Sequence, residues 1–187
     1  AETIRDAVLS VSGKLVDRPF GTPVPVSPDD VGQIVIAIDT RDSAGRPSGK
    51  VVALGDDEFR RSIYVQVRRS MPLGVLEPFD LPRMTPNCER RASSTAAPQS
   101  LLMMNNPFVI QQAESLANRI RATAESDPAA QVRLAWRLVF ARTPTEPEVQ
   151  AGVEFLSLAD ASPEAVAAGL NHFSQALLSS NGFLYVD

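Results

Sequence analysis

Residues 106–178 read NPFVIQQAESLANRIRATAESDPAAQVRLAWRLVFARTPTEPEVQAGVEFLSLADASPEAVAAGLNHFSQALL, and the placing of their prolines decides the fold. Four times a capping residue stands at or just before a proline: Asn106-Pro107, Asp127-Pro128, Thr145-Glu146-Pro147 and Ser162-Pro163. In the first turn of a helix the missing proline N–H costs nothing, and the preceding side-chain oxygen accepts one of the orphan amide hydrogens. Thr145 with Glu148 adds a capping box. Each start is followed by an apolar stripe at helical spacing: Val109, Ala113, Leu116, Ile120; Val132, Ala135, Trp136, Val139; Val149, Val153, Leu156; and Val166, Leu170, Phe173, Leu177. Four linked amphipathic helices make a bundle, so each stripe is read as core rather than as a cofactor or membrane face. Asn181-Gly182 is expected to stop the last helix.

Working outward from the bundle, Thr95 is placed to cap a helix through Ala96 to Met104. Residues 71–100 hold five prolines and few periodic positions. They read as an ordered irregular segment with one helical turn around Val75 to Phe79. In FRRSIYVQVRRS (59–70), Ile63, Val65 and Val67 alternate with Tyr64 and Gln66, which favours a strand, although Phe59, Ile63 and Val67 also fit a helix. Ile34, Ile36 and Ile38 alternate with Val35 and Ala37 in a second strand, and antiparallel pairing of the two gives a small hairpin. RDSAGRPSGK (41–50) reads as loop, and the prolines of residues 19–28 as an extended connection. Ile4, Val8, Val11 and Leu15 mark one face of an opening helix that Gly13 frays. The expected fold is mainly α: a C-terminal bundle of about four amphipathic helices, a small antiparallel β-hairpin and a long ordered irregular segment. The whole, 1–187, reads as a single domain, with helix over 1–16, irregular chain over 17–100 and bundle over 101–187.

At 187 residues, 44% hydrophobic and 21% charged, the chain has the composition of a globular domain with an adequate core. The single cysteine, Cys88, excludes an internal disulfide and a cysteine-rich zinc site, and there is no CxxCH for covalent haem. His172 is the only histidine, which removes His-His metal sites. No apolar run reaches 18 residues, so no membrane span is expected. The opening Ala1-Glu2-Thr3-Ile4-Arg5-Asp6 has no signal-peptide pattern and reads like the middle of a helix, which suggests a fragment of a larger domain or a mature chain. The net charge of −4 is unevenly spread, with seven arginines against Glu77, Asp80 and Glu89 between residues 60 and 91.

Three strings then stand out together: RRSIYVQVRRSMP (60–72), LEPFDLPRMTPNCERRASSTAAPQSLLMMNNPFV (76–109) and the ending LLSSNGFLYVD. Together they closely resemble the planctomycete PSD-one domain, a domain of unknown function that ends large exported proteins carrying a cytochrome c-like domain. The opening AETIRDAVLSVSGKL is similar to the middle of that domain, so the resemblance spans nearly all of this chain but only about the C-terminal half of the family's domain. It implies an extracytoplasmic location. The family's haem motif lies in a separate domain, so the resemblance assigns no haem or other cofactor here and carries over no catalytic residue.

The densest polar cluster is Asn87, Cys88, Glu89, Arg90, Arg91, Ser93, Ser94, Thr95 and Gln99. An irregular segment braced by a fold is where binding groups commonly sit, which makes Arg90, Arg91, Ser94, Thr95 and Gln99 the candidate ligand or anion site. The structural alternative, favoured here, pairs the arginines with carboxylates and uses Gln99 to satisfy loop backbone. Cys88 beside two arginines has the setting of a stabilised thiolate but no neighbouring base, and a packed thiol is favoured. Glu77 and Asp80 are read as ion-pair partners of Arg68, Arg69 or Arg83 before acid-base groups. Asp56, Asp57 and Glu58 read as a solvated turn or helix start. The arginine pairs 60/61, 68/69 and 90/91 fall on opposite strand faces, which argues against a nucleic-acid stripe and leaves a glycan as the polyanion of interest.

No catalytic set emerges. The leading expectation is a non-catalytic extracytoplasmic structural or interaction module whose partners are other domains of the same larger protein, or a second copy in a homodimer. The alternative is part of a polysaccharide-processing or glycan-binding protein.

Overall fold

The computed structural model describes residues 1–41, 44–81, 96–158 and 162–185. It is mainly helical, as the sequence predicts, with small antiparallel hairpins. Its contacts divide the chain into two compact units that interleave in sequence: residues 1–7 with 15–102, and residues 8–14 with 103–187.

The first unit is built on short extended pieces. Strand β1 (Val26–Pro28) pairs antiparallel with β2 (Ile34–Ile36), Val26 opposite Ile36. Asp29 shapes the loop between them by accepting the N–H groups of Val31 (3.1 Å) and Gln33 (2.7 Å) on one carboxylate oxygen. A second hairpin joins β3 (Ile38–Arg41) to β4 (Pro47–Val52), with a register shift between Asp39 and Arg41. The stretch read as loop thus contains a strand, and Pro47 takes its first position, where no ladder N–H is needed. The strand expected within residues 59–70 is absent. Ser62–Tyr64 forms a 3₁₀ turn instead, and Val65 makes only an isolated parallel bridge with Val24. Tertiary bonds hold that turn, because Asp6 Oδ1 accepts the Ser62 N–H at 2.7 Å. Residues Gly55–Phe59 form another 3₁₀ turn, opened by Leu54 N–H donating to Glu58 Oε1 at 2.7 Å. Val24, Val26, Val65, Leu73 and Leu76 are the buried centre, flanked by Ile34, Ile36, Leu54 and Tyr64.

The second unit is the bundle. Helices α3 (Pro107–Ala124), α4 (Pro128–Phe140), α5 (Glu146–Ser157) and α6 (Pro163–Leu178) begin at the four proline signals. Asn106, Asp127 and Ser162 accept the amide hydrogens of Phe108 (2.9 Å), Ala129 (3.0 Å) and Ala165 (3.2 Å). Each such cap is worth about 1 kcal/mol. Glu148 reaches back to the N–H of Thr145 at 2.7 Å, as the capping box requires. The α3 stripe is fully buried, with Leu116 and Ile120 at 0% exposure, about 1.5–3 kcal/mol each. Helix α3 packs mainly on α6, and α4 on α5. Trp136, Phe140, Phe155 and Phe173 form an aromatic chain with centroids 5.5–5.8 Å apart.

Two details of the stripes differ from expectation. Val166, in the first turn of α6, remains about half exposed, and the buried face takes hold at Leu170. Asn181-Gly182 does not stop α6. Ser179 and Ser180 end it, the Ser180 hydroxyl donating to Leu177 O at 2.7 Å, and Asn181–Leu184 forms a short helix α7 of its own.

The opening helix α1 (Glu2–Ser12) ends where glycine permits a positive φ of 77° at Gly13. Lys14 N–H donates to Leu9 O (2.9 Å) and Gly13 N–H to Ser10 O (3.1 Å), the paired bonds of a Schellman motif. Gly13 is therefore a formed cap rather than a frayed end. Arg119 of α3 completes it by donating to the carbonyls of Ser10 (3.2 Å) and Val11 (2.8 Å). Helix α2 (Ala96–Asn105) runs as predicted, and Gln175 of α6 satisfies its last carbonyls, those of Met103 (3.2 Å) and Met104 (2.8 Å).

Candidate functional site

Of the five residues proposed from sequence, Arg90, Arg91, Ser94 and Thr95 lie outside the described residues, as do Cys88 and Arg83. Gln99 is described: it sits on α2, 5% exposed, and its Nε2 donates to the carbonyl of Pro78 at 3.1 Å. That is the structural role weighed for it, satisfying the backbone of the irregular segment.

The first of the arginine pairs is divided by burial. Arg60 is 3% exposed, donates to the carbonyls of Thr22 (3.1 Å) and Phe20, and stacks over the Tyr64 ring at 4.5 Å. Arg61 is exposed and lies 3.3 Å from Asp6 Oδ2. Beside them Arg5, 2% exposed, donates to Arg60 O (2.9 Å), Ser62 Oγ (3.1 Å) and Glu58 O (2.6 Å). Desolvation pushes the Arg5 guanidinium down to about 10, a shift that the neighbouring Asp6 opposes. Arg5 and Arg60 serve as internal struts, because a guanidinium fork can satisfy several carbonyls at once.

The carboxylates are likewise sorted. Asp57 pairs with Arg18, and Glu58 caps its own turn, so the acidic run 56–58 is a folded start. Glu77 makes none of the expected ion pairs among the described residues. Arg68 instead donates to Gln66 Oε1 at 3.1 Å and approaches Met71 Sδ at 3.9 Å. His172 is exposed on α6 beside the buried Phe173.

What the sequence does not reveal is a cavity that only some of these groups border. It has a volume of about 860 Å³ and lies within the first unit. Val65, Leu73 and Leu76, all 7% exposed or less, form its floor. Ile63 and Val67, 74% and 68% exposed, are its apolar walls. Asp6, Arg61, Arg68, Arg69 and Glu77 supply a charged rim. The cavity thus offers apolar surface framed by charge, at a size typical of ligand sites, and the described residues that line it include no aromatic ring. Asp80 and residues 56–58 do not border it. The sequence signal lies in Ile63 and Val67, whose alternation points to strand packing instead.

No group of three or more His, Cys, Asp or Glu side chains able to hold a metal occurs among the described residues. No helix there is long and apolar enough to cross a membrane. Neither the curated proteins nor the solved structures contain a match to the chain. A family model does match, over residues 1–156, and its description is PSD1, protein of unknown function (DUF1553). The ending LLSSNGFLYVD, which contributed to the resemblance, lies beyond the matched region. With most of its length covered, this chain belongs to the PSD1 family of proteins of unknown function.

Proposed function

We propose that the chain is a non-catalytic, extracytoplasmic interaction module of a larger multidomain protein of planctomycete type, one that also carries a cytochrome c-like domain. The surface it offers is the cavity of the first unit. One observation carries this reading: Ile63 and Val67 stand 74% and 68% exposed over an apolar floor, inside a charged rim. Apolar patches rimmed by polar groups mark interaction sites in soluble domains. The location and the domain context rest on the resemblance of residues 60–72 and 76–109. The test is a photo-cross-linker at Val67 in the full-length protein, with one at exposed Ser70 as control. Cross-links from Val67 to other domains, above those from Ser70, are expected; equal yields from both positions sink the proposal. Fractionation of the producing cells checks location, and a cytoplasmic protein refutes that part.

A polysaccharide-processing or glycan-binding role is the second reading. It is favoured by three carboxylates on one cavity, Glu2, Asp6 and Glu77. It is opposed by the absence of an aromatic ring from the described lining residues and by the engagement of Asp6 with Arg61 and Ser62. Polysaccharide turnover by the full-length protein that disappears on Glu77→Gln would establish it.

A further inference from the structure

The charges on the cavity rim are not equivalent. Asp6 is balanced, with Arg61 Nε at 3.3 Å, the Ser62 N–H at 2.7 Å and Arg5 at 3.9 Å. Arg68 has only the neutral acceptors Gln66 and Met71 among the described residues. Arg69 is exposed and, among those residues, has neither a hydrogen bond nor an ion pair, and the same holds for Glu77. Among the described residues, two adjacent guanidinium groups thus stand without a carboxylate partner beside an apolar cleft of about 860 Å³.

That arrangement is half of a recognition site. On open surface an ion pair contributes little, because water screens it. Where a partner's apolar body covers the cleft and excludes water, the same forked donors hold a carboxylate more strongly and fix its register. Glu77, on the turn that follows Leu73, is an acceptor for an N–H or hydroxyl of the same occupant.

We infer that the cavity docks a peptide segment of a protein partner, with apolar side chains at its centre and a carboxylate beside them. The apolar side chains rest on Val65, Leu73 and Leu76 between Ile63 and Val67, and the carboxylate is taken by Arg68 and Arg69. This rests on the reading of the cavity as the interaction surface and names the chemistry that the surface selects.

The experiment is selection of displayed random peptides of about twelve residues, a length that lays several anchors into a groove. Three proteins are used: the unaltered chain, the double variant Arg68→Glu with Arg69→Glu, and Val67→Glu, which puts a charge on the apolar wall. All three positions are exposed, and circular dichroism with thermal melting verifies that the variants fold. Peptides from the unaltered chain are expected to join apolar residues to a neighbouring Asp or Glu. They should bind the arginine double variant at least about tenfold more weakly, more so at low salt, and lose binding to Val67→Glu. The double variant should select basic residues at the same place. Apolar peptides with no acidic preference, bound equally by the double variant, overturn the carboxylate assignment and leave the interaction surface standing. No peptide binding sensitive to Val67→Glu overturns both.

Discussion

Position 20 places a bulky aromatic where the backbone is least willing to have one. Phe20 has φ of 64°, with Gly21 following at 93°, and its ring is 81% exposed. A side chain with Cβ in the left-handed region costs about 1–2 kcal/mol, whereas asparagine enters it readily. The carbonyl of Phe20 is pinned by buried Arg60, so the conformation is imposed from inside the unit. Phe20→Asn should therefore raise stability by about 1 kcal/mol, read as a higher urea midpoint at unchanged slope. A lower midpoint would show that the ring packs more than its exposure indicates. Glu148 gives a second prediction. Its hydrogen bonds to Arg142, then to Thr145, hold its carboxyl well below the usual range. A depressed folded value means stability that is complete above the unfolded pKa and is lost as pH falls toward the folded one. The melting-temperature gap between the protein and Glu148→Gln should be constant from about pH 5.5 to 7 and narrow below about pH 4. A gap that widens on acidification would contradict the assignment.

Elements were legible where the chain states its own boundaries and illegible where another part of the unit imposes them. The helix starts at Asn106, Asp127, Thr145 and Ser162 are local devices, so all four were readable, as were the stripes behind them. Ser62–Tyr64 lies in an alternation that favours a strand and forms a 3₁₀ turn because Asp6 takes its first N–H and Arg5 takes the Arg60 carbonyl. Neither bond is visible from the alternation of Ile63, Val65 and Val67. The cavity was hidden for the same reason: it is assembled from α1 and from residues 61–81, stretches that nothing in the sequence brings together. Packing between helices supplies the prediction at this scale. A Cβ on Gly152 of α5 would lie 2.8 Å from both γ-carbons of Val132 in α4 and 3.3 Å from the Phe173 ring in α6. Alanine gains about 1 kcal/mol in helix propensity, yet overpacking a filled core costs about 1–3 kcal/mol. Gly152→Ala should be neutral to destabilising by up to about 2 kcal/mol in denaturant unfolding, and a Gly152→Ala, Val132→Ala double variant should be less harmed than the sum of its parts.

For the whole molecule the informative feature is the interleaving of its units. Residues 8–14 belong with 103–187. Within that second unit Val8 and Leu9 are at 1% and 0% exposure, Ser12 donates to Gln112 Oε1 at 2.9 Å, and Arg119 caps the carbonyls of residues 10 and 11. A cut at residue 102 therefore removes an integral strip of the bundle. Residues 103–187 alone should melt at lower temperature, or less cooperatively, than the same fragment carrying residues 8–14 on a flexible linker. Identical melting curves would show the strip to be dispensable. The same interleaving bears on how the chain is made. Gln112 follows Ser12 by 100 residues, so at roughly 5–20 residues per second the ribosome releases this apolar strip about 5–20 s before its partners exist. During that interval Val8 and Leu9 are exposed to whatever binds nascent hydrophobic chain, and a holdase acting early in synthesis has its natural target there.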